Sequence, residues 1–117
     1  MENRRKYQRF NAAVAAEIEL GTEIYEGVTR DLSQSGSSIF IAAPLTEGAV
    51  VQVTLLLTED GIASPDTEPL ALFAEIVWVT ERKQNGVLAG LRFIKPSPQD
   101  VQRLALLLSA FTATTPE

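Results

Sequence analysis

Cysteine and histidine are both absent from this sequence of 117 residues. Without cysteine, no disulfide can form, and neither a thiolate nucleophile nor a thiolate ligand for a metal is available. Without histidine, the imidazole base of Ser-His-Asp and Cys-His systems is missing as well. Carboxylates, lysine and tyrosine remain as acid and base groups, so we predict that the protein is not an enzyme and holds no metal or cofactor.

Long apolar segments are missing too. No apolar run approaches the roughly 20 residues that a membrane-spanning helix needs. The N-terminus is charged where a secretory signal peptide carries an apolar segment. We therefore expect no insertion into a membrane and a cytoplasmic location.

Positive charge is scarce and unevenly placed. The 10 Lys and Arg residues against 15 Asp and Glu residues give a formal net charge of −5, unlike the basic footprint of a general nucleic-acid binder. Four cations lie in the segment RRKYQR, residues 4–9. With Glu2 counted, the first ten residues carry +3, which leaves −8 on the other 107. A basic arm thus precedes an acidic domain.

The length fits a single domain with one modest core. A composition with 45% hydrophobic and 21% charged residues is typical of a globular protein. We divide the chain into a flexible basic arm at residues 1–10, a domain at 11–112 and a polar tail at 113–117. We expect a monomer or a weak dimer.

Short strands fill most of the domain. Residues 14–20 alternate at their end, with Ile18 and Leu20 on one face and Glu17 and Glu19 on the other, which is typical of a half-buried strand. An Asn-Gly pair in the segment ERKQNG predicts a hairpin turn. Residues 58–69 are polar and rich in structure breakers, which predicts a surface loop. The other predicted strands are residues 24–32, 37–42, 49–57, 70–79 and 87–94.

The periodicity changes near the C-terminus, where a helix is predicted over residues 97–111. Ser97 is suited to the N-cap and Pro98 to the first helical position. An apolar stripe for packing against the sheet consists of Val101, Leu104, Leu108 and Phe111. Six short strands followed by one helix predict an all-β fold, a six-stranded antiparallel barrel with the C-terminal helix packed on it.

Two short motifs carry the functional information. Arg5 and Arg9 form R-x-x-x-R, and DLSQSG at residues 31–36 has the form D-x-S-x-x-G. Alone, a basic terminal run is typical of a solvated tail, and D-x-S-x-x-G is typical of a turn. In this order and among these strands, they resemble the PilZ domain family, bacterial receptors for cyclic di-GMP. The resemblance runs from about Arg4 to Phe111 and includes the Gly-x-x-Phe ending of the last strand, residues 90–93.

The resemblance implies a six-stranded β-barrel with a C-terminal helix that binds cyclic di-GMP without turning it over. It implies that Arg5 and Arg9 bind the ligand, and guanidinium groups suit both its phosphates and its guanine edges. Asp31 is a suitable acceptor for the guanine N1-H and N2-H₂ groups, Ser33 is a donor, and Gly36 permits close approach of the backbone.

Two further residues belong to the predicted site. Arg4 lies beside the first motif and adds positive charge. Trp78 is the only tryptophan, and in some members of the family an aromatic residue on that strand meets the ligand. The other interpretation of Trp78 is core packing beside Ile76 and Val77. Arg30 is expected to form a surface salt bridge with Asp31 rather than to bind the ligand.

The first functional hypothesis is a cyclic di-GMP receptor that acts as an adaptor, with an effector protein as its partner. The ligand would order the basic arm, and the ordered arm would present a new face to that partner. The second hypothesis is a PilZ-like interaction module that acts independently of the nucleotide. Motility, attachment and matrix production in biofilms are usual outputs of the family, and the sequence does not choose among them.

An enzyme remains the least supported hypothesis. Asp31 with Glu26 or Glu75 would be its acid and base pair. These carboxylates are explained more simply as outward-facing strand residues, and no clustered carboxylates are present to hold a metal.

Overall fold

The computed structural model describes residues 9–56, 58–59, 62–63, 69–81 and 86–109. Strands dominate, and a single helix follows the last of them within these ranges. Arg4, Arg5, Phe111 and the predicted tail at 113–117 lie outside the described residues. The elements are β1 (Phe10–Asn11), β2 (Ala15–Leu20), β3 (Glu23–Leu32), β4 (Gly36–Ile41), β5 (Val50–Leu55), β6 (Thr58–Glu59), β7 (Ile62–Ala63), β8 (Leu70–Glu81), β9 (Val87–Phe93) and α1 (Pro98–Leu108).

Six strands close into a barrel. Their order is β3-β2-β5-β8-β9-β4, and β4 pairs back with β3, so that no edge of the ring is left open. Every neighbouring pair is antiparallel. The prediction of a six-stranded antiparallel barrel with a C-terminal helix is therefore confirmed. The short strand β1 is an addition that the sequence did not indicate, and it pairs with the end of β3.

The interior of the barrel is aliphatic, as the alternating pattern predicts. Ile18 is fully buried, while its neighbours Glu17 and Glu19 are more exposed and face outward. Removing such a side chain from water contributes about 1.5–3 kcal/mol to folding. The largest fully buried apolar side chains are Ile18, Leu32, Ile39, Leu55, Leu70, Ile76, Leu104 and Val53.

The chain before β2 is tied to β3 through a buried threonine. The Thr29 hydroxyl donates to the carbonyl of Ala12 and accepts from the backbone N–H of Val14 at 2.8 Å. The Thr29 backbone N–H donates to the carbonyl of Val14 at 3.0 Å. Because these bonds satisfy a buried hydroxyl, they are costly to break. They hold the segment that follows Arg9 against the barrel and so position Arg9 beside β3.

The helix begins as predicted. The Ser97 hydroxyl accepts from the backbone N–H of Asp100 at 3.1 Å, which caps the first turn, and Pro98 is the first helical residue. Leu104 and Leu108 are buried against the barrel. Val101 is 39% exposed, so the packed stripe is shorter than predicted. Val101 lies in the first turn of the helix, nearly two turns from Leu108. At that position, the described residues cover the Val101 side chain only in part.

The predicted loop at residues 58–69 contains the two short strands β6 and β7, which pair with each other. Thr58 pairs with Ala63 and Glu59 with Ile62, and the loop prediction is wrong for these four residues. Two positions separate the paired segments in the sequence, and they are Asp60 and Gly61, which lie outside the described residues. Asp-Gly is a strong signal for a two-residue hairpin turn, and it was hidden by the polar composition around it. Within the described ranges, no helix combines the length and hydropathy that crossing a membrane requires.

Candidate functional site

A bulge in β3 determines the direction of Asp31. Thr29 pairs with Ile39 across to β4, and Asp31 pairs with Ser38, so Arg30 is an extra residue in β3. Thr29 is buried, and strict alternation would turn Asp31 to the interior as well. The extra residue reverses the direction of the residues that follow it. Asp31 therefore faces outward, and Leu32 fills the core instead.

A second bulge, in β8, has the same effect on Trp78. Ile76 pairs with Leu91 and Trp78 pairs with Gly90, which makes Val77 the extra residue. Ile76 points into the core, whereas Trp78 is half-buried on the outer face. The indole of Trp78 lies directly over Gly90, where an added Cβ would overlap its Nε1. Core packing beside Ile76, the other interpretation of Trp78, is therefore wrong.

The two bulges place their residues around one cavity on the outer face of the barrel. The cavity has a volume of about 300 Å³ and is bounded by β3, β4, β8 and β9. Three guanidinium side chains and one carboxylate line it, although the chain as a whole carries a net charge of −5. The charged side chains are Arg9, Arg30, Asp31 and Arg92, and Trp78 forms part of the wall.

Arg9 and Asp31, one from each motif, are in direct contact. Nη1 of Arg9 donates to Oδ1 of Asp31 at 2.8 Å, and the side chains are 29% and 16% exposed. The backbone N–H of Ser38 donates to the same Oδ1 at 3.1 Å. Arg30 Nε lies 3.8 Å from Oδ2, which confirms the predicted salt bridge, although Arg30 also lines the cavity. The carboxylate is thus held in place from three directions.

Ser33 organises the loop between β3 and β4. Its hydroxyl accepts from the backbone N–H groups of Ser35 at 3.1 Å and Gly36 at 3.2 Å. The residue is 1% exposed, and it is not one of those that line the cavity. This geometry is that of a turn held by a serine side chain. Contact between Ser33 and a ligand stays a prediction.

Gly36 lines the cavity and is required by strand packing. A Cβ at this position would overlap the carbonyl oxygen of Leu91 on β9. Its φ angle is not positive, so conformational freedom is not the reason for glycine here. The sequence indicated that Gly36 permits a close approach of the backbone. In the structure, this approach is between strands β4 and β9, which pack tightly at the floor of the cavity.

Sequence reasoning missed Arg92. It lies on β9, opposite Gly36 on β4 and Glu75 on β8, and its Nη2 bonds the Glu75 carboxylate. The alternation of β9 indicates only that Arg92 faces outward, while its proximity to Asp31 and Trp78 depends on the barrel's register. Of the other predicted residues, Arg4 and Arg5 lie outside the described part of the chain. Within that part, no group of three acidic residues is arranged to hold a metal.

Solved structures of other proteins are similar in fold to this barrel. The structure of the Bacillus subtilis inhibitor of motility (MotI/DgrA) has a TM-score of 0.73 at 18% identity, covering 93% of this chain and 51% of that one. The chain therefore spans about half the length of that relative. The PilZ domain of YcgR from Escherichia coli, solved with c-di-GMP, has a TM-score of 0.72 at 21% identity, covering 92% and 91%.

A third structure, the PilZ domain of CeSA from a cellulose-synthesizing bacterium, has a TM-score of 0.59 at 22% identity, covering 87% of this chain and 96% of that one. At these identities the likeness establishes the fold. No curated protein shows significant sequence similarity to the chain. The family profile described as the PilZ domain matches residues 3–110, which include both motifs, the barrel and the helix. The chain belongs to the PilZ domain family.

Proposed function

We propose that this PilZ domain is a receptor for cyclic di-GMP, which binds in the cavity on the outer face of the barrel. The observation that carries the proposal is the convergence of Arg9, Arg30 and Arg92 with the carboxylate of Asp31 in one cavity. Guanidinium groups suit the two phosphates of the ligand, and a carboxylate suits the donor edge of guanine. The related PilZ domain of YcgR, solved with c-di-GMP, supports the choice of ligand.

Trp78 provides a surface for stacking. Its indole is half-buried on the outer face and contributes to the wall of the cavity. Stacking of a base on an aromatic ring contributes about 1–3 kcal/mol. A purine lying against Trp78 would have its edge directed toward the polar side chains of β3 and β4. This placement favours a ligand that has both a base and an anionic group over a simple phosphate.

The cavity is too small to enclose the whole ligand. Its volume of about 300 Å³ is at the lower end of the range of roughly 300–1,000 Å³ that is typical of ligand pockets. A cyclic dinucleotide has two bases and two phosphates, so part of it extends beyond the cavity. Arg5 and Arg4 in the basic arm are the residues proposed to cover that part. Several charge-assisted hydrogen bonds of about 1.5–3 kcal/mol each would offset the entropy of ordering the arm.

We assign the protein an adaptor role, in which the ligand-ordered arm creates a surface for an effector protein. The structural similarity to an inhibitor of motility makes motility the first process to test. The second candidate is an interaction module that acts without the nucleotide. It is favoured by the charge of −8 outside the first ten residues, which suits contact with a basic protein better than capture of an anion.

Isothermal titration with cyclic di-GMP tests the proposal. We expect the unmodified protein to bind, and Arg9→Ala to weaken binding more than tenfold because it removes a charge-assisted contact. Arg103→Ala is the matched control, since it removes a guanidinium from α1 that does not line the cavity. Absence of both heat and chemical-shift changes at high ligand concentration would refute the receptor function. A partner that binds equally well with or without nucleotide would support the second candidate.

A further inference from the structure

The hydroxyl of Ser38 is buried and unsatisfied. Ser38 is 2% exposed, and its Oγ has no hydrogen-bond partner among the residues that the structure describes. Buried polar groups are almost always paired, because losing water without gaining a partner is unfavourable. An unpaired hydroxyl in a binding cavity therefore requires an explanation.

The hydroxyl groups of two neighbouring serines do have hydrogen-bond partners within the fold. The Ser37 hydroxyl donates to the carbonyl of Asp31 at 2.7 Å, and the Ser33 hydroxyl accepts from two loop amides. All three serines are buried. Ser38 differs from the other two because its side chain has no corresponding bond to the backbone of the loop. Its hydroxyl is therefore available for an interaction that is not part of the fold.

The position of Ser38 points to the nature of that interaction. Ile39 fills the core, so Ser38, one position earlier on β4, faces outward and lines the cavity. Its cross-strand partners are Asp31 on one side and Gly90 on the other. Its backbone N–H donates to Oδ1 of Asp31, which fixes Ser38 beside the carboxylate. If Asp31 binds polar atoms on one edge of a ligand, the neighbouring polar atom on the same edge would lie close to the Ser38 hydroxyl.

We propose that the Ser38 hydroxyl donates to guanine O6 while Asp31 accepts from N1-H and N2-H₂ of the same base. This inference rests on the proposed function and specifies how the site recognises the base. Guanine has two adjacent donors and then an acceptor along one edge, and a carboxylate next to a hydroxyl complements that order. Adenine has an amino donor in place of O6 and no N2 amino group, so it fits this pair poorly.

The ligand reaches Ser38 by replacing the side chains that flank it. On one side of Ser38, the guanidinium of Arg9 is bonded to Asp31. On the other side, the indole of Trp78 lies over Gly90. Both side chains have other contacts to make with the ligand, a phosphate for the guanidinium and a base for the indole. Their movement toward the ligand exposes the hydroxyl at the same time as guanine replaces Arg9 on the carboxylate.

Ser38→Ala tests the inference with two measurements on the full chain. Removing an unsatisfied hydroxyl should leave the unfolding temperature of the ligand-free protein unchanged or higher. Removing one hydrogen bond to the ligand should weaken cyclic di-GMP binding by roughly two- to tenfold. Binding of cyclic di-AMP should not change, so the preference for guanine should decrease. The matched control is Ser37→Ala, which should lower the unfolding temperature because its hydroxyl bonds the backbone.

The outcomes separate this inference from the proposed function. If the unmodified protein binds cyclic di-GMP and Ser38→Ala binds it equally well, the role of Ser38 is refuted while the receptor function stands. A lower unfolding temperature for ligand-free Ser38→Ala would also refute it, because the hydroxyl would then be part of the fold. If the unmodified protein does not bind cyclic di-GMP at all, both fail.

Discussion

Nη1 of Arg9 and Oδ1 of Asp31 lie 2.8 Å apart, so two residues that are 22 positions apart in the sequence, one from each predicted motif, form an ion pair in the absence of ligand. The same carboxylate oxygen accepts the backbone N–H of Ser38. Guanine would therefore exchange with Arg9 on Asp31, and Arg9 would become available for a phosphate. Under the proposed function, binding at this site would be an exchange of partners, which would lower the net gain from each individual contact.

The amide variant Asp31→Asn tests this exchange. It removes the charge but preserves the shape, and an amide oxygen is a weaker acceptor for the two donors of guanine. We expect binding of cyclic di-GMP, measured by calorimetry, to weaken more than tenfold. We expect stability to change by about 1 kcal/mol or less, since the pair is partly solvated. Glu26→Gln is the control with the same change of charge on an exposed part of β3, and equal effects of the two variants would argue against a direct role of Asp31.

Trp78 is the only tryptophan, so its fluorescence reports on the cavity wall without interference. Gly90→Ala should displace the indole, because the added Cβ would overlap it. We expect the emission spectrum of the ligand-free variant to shift and its affinity for cyclic di-GMP to fall severalfold, as stacking is lost. An unchanged spectrum together with unchanged affinity would contradict the position of the indole over Gly90.

Gly36→Ala should destabilise the barrel whether or not ligand is present. Its Cβ would overlap the carbonyl oxygen of Leu91, a backbone atom that cannot move without disturbing the pairing of β4 with β9. Overpacking of this kind typically costs about 1–3 kcal/mol, which chemical denaturation can measure. Ser35→Ala, an exposed change in the adjacent loop, should stay within about 0.5 kcal/mol. Similar stabilities for the two variants would show that β9 lies further from Gly36.

Because Glu75 forms an ion pair with Arg92, we expect that mutating Glu75 increases the affinity for cyclic di-GMP. Glu75 does not line the cavity, but its carboxylate neutralises Arg92, which does. Glu75→Gln should therefore strengthen binding of the dianionic ligand severalfold at low salt. Because both side chains are substantially exposed, the gain should shrink as ionic strength rises toward 1 M. Weaker binding of Glu75→Gln would mean that Glu75 positions Arg92 rather than competing with the ligand for it.

Amide exchange of residues 3–10 tests the proposed closure of the arm. If Arg5 covers the part of the ligand that extends beyond the cavity, exchange in this segment should slow when cyclic di-GMP is added. Arg5→Ala should abolish that protection while leaving the barrel amides unchanged. Equal protection with and without ligand would contradict arm ordering, even if titration shows that the nucleotide binds.

The sequence indicated the barrel because each strand has one apolar face, as Ile18 and Leu20 show on β2. It also indicated Arg9, Asp31 and Gly36, because motif spacing is visible in a linear pattern. The bulges were not predictable in this way, since alternation alone places Trp78 with Ile76. Arg92 was missed because its proximity to Asp31 comes from the pairing of β4 with β9, which are distant along the chain. Ser38 was missed because its pairing with Asp31 on the neighbouring strand depends on the bulge in β3.

Arg30 and Val77 are each one residue more than the partner strand requires. Deleting either would join its two neighbours into a regular ladder. Asp31 or Trp78 would still face outward, because its partner on β4 or β9 is unchanged. The deletion would remove the local bend and extra twist that a bulge gives its strand. A relative that lacks one of these two residues would therefore keep both motifs and the facing of their side chains, on a strand that bends less at the wall of the cavity.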